Sequence, residues 1–79
     1  MSVKIYSTST CSACKMAKNY LRERQIKFTD YNIGNDSRKA EEMVYKSRQT
    51  GVPVIDFNGK IIIGFDREKL DRIISVSKN

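Results

Sequence analysis

Apolar and polar residues alternate across Val3-Lys4-Ile5-Tyr6-Ser7, the period of a strand with one buried face. After the polar link Thr8-Ser9-Thr10 the period lengthens. Ala13, Met16, Ala17, Tyr20 and Leu21 recur at i, i+3, i+4, i+7 and i+8, which places them on one helical face. Lys15, Lys18, Arg22 and Glu23 lie away from that face. Alternation returns over Lys27–Asn32 and predicts a second strand. Asn35-Asp36-Ser37 then supplies N-cap residues for a second helix with an inner stripe of Ala40, Met43, Val44 and Ser47. Gly51-Val52-Pro53 ends that pattern. Val54–Phe57 and Lys60–Ile63, joined by Asn58-Gly59, form the strongest hairpin signal in the chain, because Asn-Gly suits the tight turn that matches strand twist. Gly64-Phe65-Asp66 leads into a last helix, with Asp66 as its N-cap and Leu70, Ile73 and Ile74 facing inward.

The predicted order is β-α-β-α-β-β-α. A helix between the first two strands implies a parallel pair, and the hairpin adds an antiparallel one. The economical arrangement is an α/β fold: a four-stranded mixed sheet with three helices on its two faces.

Seventy-nine residues make a single domain, 1–79, near the lower limit of what one core stabilises alone. Two cysteines three positions apart cannot staple such a chain, since closing so short a loop removes little entropy. No charged n-region and apolar h-region opens the sequence, and no apolar run is long enough to span a bilayer. A cytoplasmic protein with no membrane partner is expected, in a compartment that keeps thiols reduced. The net charge of +6 describes a lysine-rich solvated surface that also suits an acidic redox partner protein. Without a run of like charges or a groove-reading motif, nucleic acid is not expected as a partner.

Cys11-Ser12-Ala13-Cys14 carries the chemistry. The first cysteine stands after a strand at the mouth of a helix, where unpaired backbone N–H groups and the helix dipole favour its thiolate, the attacking species. Cys14, one turn in, has no such help. Cys11 is therefore the expected nucleophile and Cys14 the resolving thiol. Lys15 is the neighbouring cation. There is no histidine, which excludes a Cys–His pair. Two thiols also fall short of the four ligands of a zinc site, so no metal is expected unless a dimer pools two pairs to hold zinc or an iron–sulfur cluster.

Ile5-Tyr6-Ser7-Thr8-Ser9-Thr10-Cys11-Ser12-Ala13-Cys14 resembles the first strand, active-site loop and catalytic pair of the glutaredoxins. Gly51-Val52-Pro53 resembles that family's Thr-Val-Pro segment, and Gly64-Phe65-Asp66 its Gly-Gly-x-Asp segment. The wording Gly-Val-Pro-Val-Ile-Asp and Ile-Gly-Phe-Asp is similar to the short glutaredoxin-like group called YruB-type. The resemblance implies a thioredoxin-like fold, a cis Val52–Pro53 bond, and a substrate groove formed by Val52, Pro53, Gly64, Phe65 and Asp66.

Departures from the family pattern shape the expected activity. Thr8 stands where glutathione-using members carry lysine, Ser12-Ala13 replaces the common Pro-Tyr, and Gly51 replaces a threonine. Asp66 remains as a contact for the glutathione amino group, with Lys46 or Arg48 as substitute cations. Gly64-Phe65 is instead similar to the glutaredoxin-like electron donors of ribonucleotide reductase. The expected function is a monomeric dithiol–disulfide oxidoreductase acting on protein disulfides or glutathione mixed disulfides. It would bind no cofactor and draw electrons from glutathione or a thioredoxin-reductase-type reductant. The alternatives are an electron carrier for one dedicated partner and a cluster-binding dimer.

Overall fold

A computed structural model describes the backbone of residues 2–77 and the side chains of residues 2–76. The elements are β1 (Val3–Ser7), α1 (Ser12–Glu23), β2 (Thr29–Asn32), α2 (Ser37–Ser47), β3 (Val54–Phe57), β4 (Lys60–Ile63) and α3 (Arg67–Ser77). The four strands join in one mixed sheet, as the pattern predicts, and its order is β2-β1-β3-β4. β1 runs parallel to β2, with Tyr6 opposite Tyr31, and antiparallel to β3, with Ile5 opposite Ile55. The Asn58-Gly59 turn takes positive φ at both residues, 56° and 95°, and pairs Ile55 with Ile62 across the hairpin. None of the helices among the described residues is long and apolar enough to cross a membrane.

The two-residue period of the strands divides the core. On one face Ile5, Ile55, Phe57 and Ile62 pack with Ala17, Tyr20 and Leu21 of α1 and Leu70 and Ile74 of α3. On the other, Tyr6 and Val54 meet Met43 of α2. Each large side chain fully buried here contributes about 1.5–3 kcal/mol.

Three expectations change. β2 starts at Thr29 rather than Lys27, because pairing with β1 begins at Lys4 opposite Thr29. Met16 is 52% exposed rather than inward-facing: Cys14 takes the inner position, and the cover of Phe65 reaches Tyr20 of α1. Val44 is exposed because α2 turns Met43, Lys46 and Ser47 to the sheet.

That choice serves a polar network under α2. Lys46 Nζ donates to Asp56 at 2.7 Å and to the Tyr6 hydroxyl at 2.9 Å, while Tyr6 donates to Glu42. Asp56 also accepts the Gly59 N–H at 2.8 Å. Burial and the bond to Glu42 push the Tyr6 phenol up to about 12. Burial alone would raise the Asp56 carboxyl, but Lys46 and the Gly59 N–H outweigh it and hold Asp56 below the usual carboxylate range. A depressed carboxylate adds stability above its unfolded pKa of about 4, and that contribution disappears as pH falls through the folded value.

Lys46→Met keeps most of the aliphatic stem and removes the charge. It is expected to cost on the order of 2–3 kcal/mol near neutral pH, because a buried carboxylate loses its partner. Chemical denaturation across the acid range checks this. The wild-type and variant stabilities should converge as Asp56 becomes protonated, whereas a constant gap would mean that packing, not the ion pair, is responsible.

Candidate active site

β1 ends at Ser7, and three polar residues carry the chain to Cys11, whose extended backbone (φ −93°, ψ 112°) makes it the N-cap of α1. An N-cap side chain accepts one of the helix's unpaired N–H groups, and here the acceptor is sulfur. The Cys14 N–H donates to Cys11 Sγ at 3.1 Å. A thiolate at this position would accept the N–H more strongly than a thiol, because a charge-assisted contact is the stronger kind. The two cysteines are free thiols with different surroundings: Cys11 is half-buried and Cys14 is 1% exposed. Burial and the hydrogen bond with Cys11 push the Cys14 thiol up to about 11, against the opposing pull of the Thr8 N–H and the Lys18 ammonium.

The second wall comes from the α2–β3 loop. Val52–Pro53 is cis, Pro53 is fully buried and Val52 half-buried. The Cys11 thiol points at the Val52 carbonyl at 3.9 Å. Behind it, the Pro53 carbonyl accepts the Gly64 N–H at 2.8 Å. Gly64 holds φ +77°, a conformation open to glycine and strained for other residues, although a Cβ there would meet open space. The requirement at Gly64 is conformational rather than steric.

The fold thus draws Cys11, Cys14, Val52, Pro53 and Gly64 together from three separate segments. Phe65 and Asp66 follow Gly64, but their contacts are with neighbouring elements. Phe65 is half-buried and meets the Tyr20 ring edge-on at 5.7 Å. Asp66 caps α3, accepting the Lys69 N–H at 3.1 Å on Oδ1 and the Leu70 N–H at 3.0 Å on its carbonyl. A hollow of about 230 Å³ between Met16, Tyr20, Phe65 and Arg67 opens on this side of α1.

The cations near the site differ in availability. Lys15 is exposed. Lys46 is committed to Asp56 and lies 3.9 Å from Glu42, so it does not serve as a substitute ligand cation. Arg48, the left-handed C-cap of α2 at φ 62°, is exposed and makes no ion pair among the described residues. Lys18, expected to lie away from the inner face, is instead half-buried and bonded to Asp30 at 2.6 Å. Its i+4 relation to Cys14 was the sequence signal for this placement.

Comparison with known proteins agrees with this geometry. The glutaredoxin family model matches residues 3–62. The chain is 47% identical over 72 residues to an uncharacterized glutaredoxin-like 8.6 kDa protein in the rubredoxin operon of Clostridium pasteurianum, covering 91% of this chain and 96% of that one. It is 36% identical over 64 residues to glutaredoxin 3 of Escherichia coli, covering 81% and 77% of the two chains. Among solved structures, NrdH-redoxin from Escherichia coli superposes with a TM-score of 0.82 at 22% identity, covering 91% of this chain and 93% of its own. From strand order to catalytic-loop sequence, this chain belongs to the glutaredoxin family.

Proposed function

We infer that the protein is a dithiol oxidoreductase that reduces protein disulfides, with Cys11 as nucleophile and Cys14 as resolving thiol. The observation that carries this reading is the inequality of the two thiols. One caps a helix within reach of solvent; the other is 1% exposed with its thiol at about 11. The Cys11 thiolate attacks one sulfur of a substrate disulfide, forms a mixed disulfide and expels the other sulfur as a thiolate that takes up a proton. Cys14 then loses its proton to solvent and attacks Cys11 Sγ. The Cys11–Cys14 disulfide forms, the substrate's second sulfur leaves as thiolate, and two electrons have passed from dithiol to substrate. The Val52 N–H makes no hydrogen bond among the described residues, which suits pairing with an extended substrate backbone alongside Cys11.

The character of the groove favours one electron donor over the other. Thr8 in place of a lysine and the commitment of Lys46 leave Arg48 as the cation nearest in sequence to Val52 for a glutathione carboxylate. Losing one such contact costs on the order of 1–3 kcal/mol, enough to weaken a millimolar ligand out of use. A thioredoxin-reductase-type reductant is the preferred reading. The likeness to NrdH-redoxin, a protein described as having a thioredoxin-like activity profile, supports it. An electron carrier for one acidic partner is the second reading, favoured by the +6 charge.

Three outcomes test this. In the reduced protein at neutral pH, iodoacetamide should modify one thiol per chain, mapped to Cys11 by peptide mass, with Cys14 reacting only on unfolding. Equal labelling would remove the basis for the role assignment. Cys14→Ser should lose protein disulfide reduction yet accumulate a mixed disulfide at Cys11, visible as an adduct in the intact mass, whereas Cys11→Ser should show neither activity nor adduct. The oxidised protein should be reduced quickly by NADPH with thioredoxin reductase and slowly by NADPH with glutathione and glutathione reductase. The reverse order would make it a glutathione-dependent enzyme. A steep loss of rate with salt would point to the dedicated acidic partner, because charge attraction is screened over about 10 Å at 0.1 M.

A further inference from the structure

The buried resolving thiol poses a problem for the reaction. Cys14 must ionise to attack Cys11, yet burial works against its charged form, and attack by the neutral thiol is ineffective. The surroundings of Cys14 show what opposes this. On α1, Lys18 lies one turn beyond Cys14 on the same side of the helix. Its ammonium is held at 2.6 Å by Asp30 Oδ2 of β2, and the other Asp30 oxygen accepts the Ser7 hydroxyl at 2.7 Å. Ser7 is 1% exposed and is followed by Thr8, whose backbone N–H, like the Lys18 ammonium, favours the Cys14 thiolate. Ser7, Asp30 and Lys18 therefore form a connected bracket that ends on α1 one turn beyond Cys14. Of the other charged groups nearby in the chain, Lys15 is exposed and Asp66 is engaged in capping α3. The Val52–Pro53 segment brings no charge.

We propose that Lys18, fixed by Asp30 and Ser7, is an electrostatic positioning residue for the resolving step, favouring the Cys14 thiolate inside the mixed disulfide. The direction of the Lys18 field on Cys14 is the favourable one, opposing burial. The role rests on the dithiol reading given above. Lys18 stays protonated and transfers nothing. Cys14 gives its proton to solvent, its sulfur bonds to Cys11 Sγ, and the substrate sulfur departs with the electron pair of the broken bond. Asp30 also keeps the ammonium from swinging out to solvent, which an unpaired lysine with a flexible stem would do.

The magnitude is set by two opposing effects. An opposite charge beside an ionisable group commonly changes the population of its charged form about tenfold, so removing the cation makes the thiolate scarcer on that order. The thiolate that remains is about threefold more nucleophilic, so resolution near neutral pH should slow by about threefold.

Rapid mixing of the reduced protein with a substoichiometric amount of dithionitrobenzoate separates the steps. Attack by Cys11 releases the first coloured thiolate at a rate proportional to protein concentration, and resolution by Cys14 releases the second at a concentration-independent rate. In Lys18→Met the second phase should slow about threefold near neutral pH, and its rate–pH curve should move to higher pH. The first phase should be almost unchanged and reports that the variant is folded. Lys18→Arg, which keeps the charge, should restore the wild-type curve. An unmoved second-phase curve in Lys18→Met, or equal slowing in Met and Arg variants, would overturn the role of the Lys18 charge. Absence of any second phase in the wild-type protein would instead overturn the dithiol reading itself.

Discussion

The hydrogen bond from the Cys14 N–H to Cys11 Sγ is the contact on which the rest of the site depends. A helix that starts directly after a strand must satisfy its first N–H groups locally, and this one does so with a thiol. The same contact fixes the direction of the Cys11 sulfur and places Cys14 one turn deeper. Cys14 then joins Ala17, Tyr20 and Leu21 on the buried side of α1. The division between an accessible and an inaccessible thiol is therefore a consequence of helix geometry. Two cysteines at i and i+3 with the first at the N-cap cannot share one environment.

The second wall is held by interactions on the opposite sheet face. Lys46 ties α2 to Asp56 on β3, and Asp56 is three residues beyond the cis Pro53. The loop that brings Val52 to Cys11 is thus anchored at both ends: by the ion pair and Met43 packing before it, and by β3 pairing and the Gly64 N–H after it. A charged residue on the inner side of α2 is the cost of that anchoring, and it explains why Val44 and Tyr45 are left exposed.

Much of this was legible in the sequence because the signals were local. The period-two runs, the Asn58-Gly59 turn and the Asp36 and Asp66 caps each state their structure within a few residues, and all appear in the fold. The Cys11–Cys14 asymmetry was legible for the same reason. What escaped depended on partners far along the chain. Met16 fits the helical stripe, but whether it is covered depends on how far the segment leading into α3, 49 positions later at Phe65, reaches over α1. Lys46 reads as a cation free to meet a ligand until β3 places Asp56 beneath it. Lys18 reads as a surface lysine until β2 brings Asp30 alongside. Periodicity assigns charged residues to the outside by default, and both exceptions are lysines whose long stems reach a carboxylate on a strand.

Those two lysines differ in what they do to their neighbours, although both are half-buried and bonded to an aspartate. Around Lys46 the hydrogen-bonding groups are complementary: ammonium, carboxylate, phenol and Gly59 N–H satisfy one another, and the result is a structural anchor. Around Lys18 the carboxylate is met by one ammonium and one hydroxyl, and the nearby Cys14 thiol is neutral in its ground state. A charge field beside a neutral group that must ionise does little for the resting fold and more for the reacting state, which is the differential stabilisation that acceleration requires. The same type of pair thus has different consequences on the two faces of the sheet. The difference lies in whether every group beside it is already satisfied or one has yet to become charged.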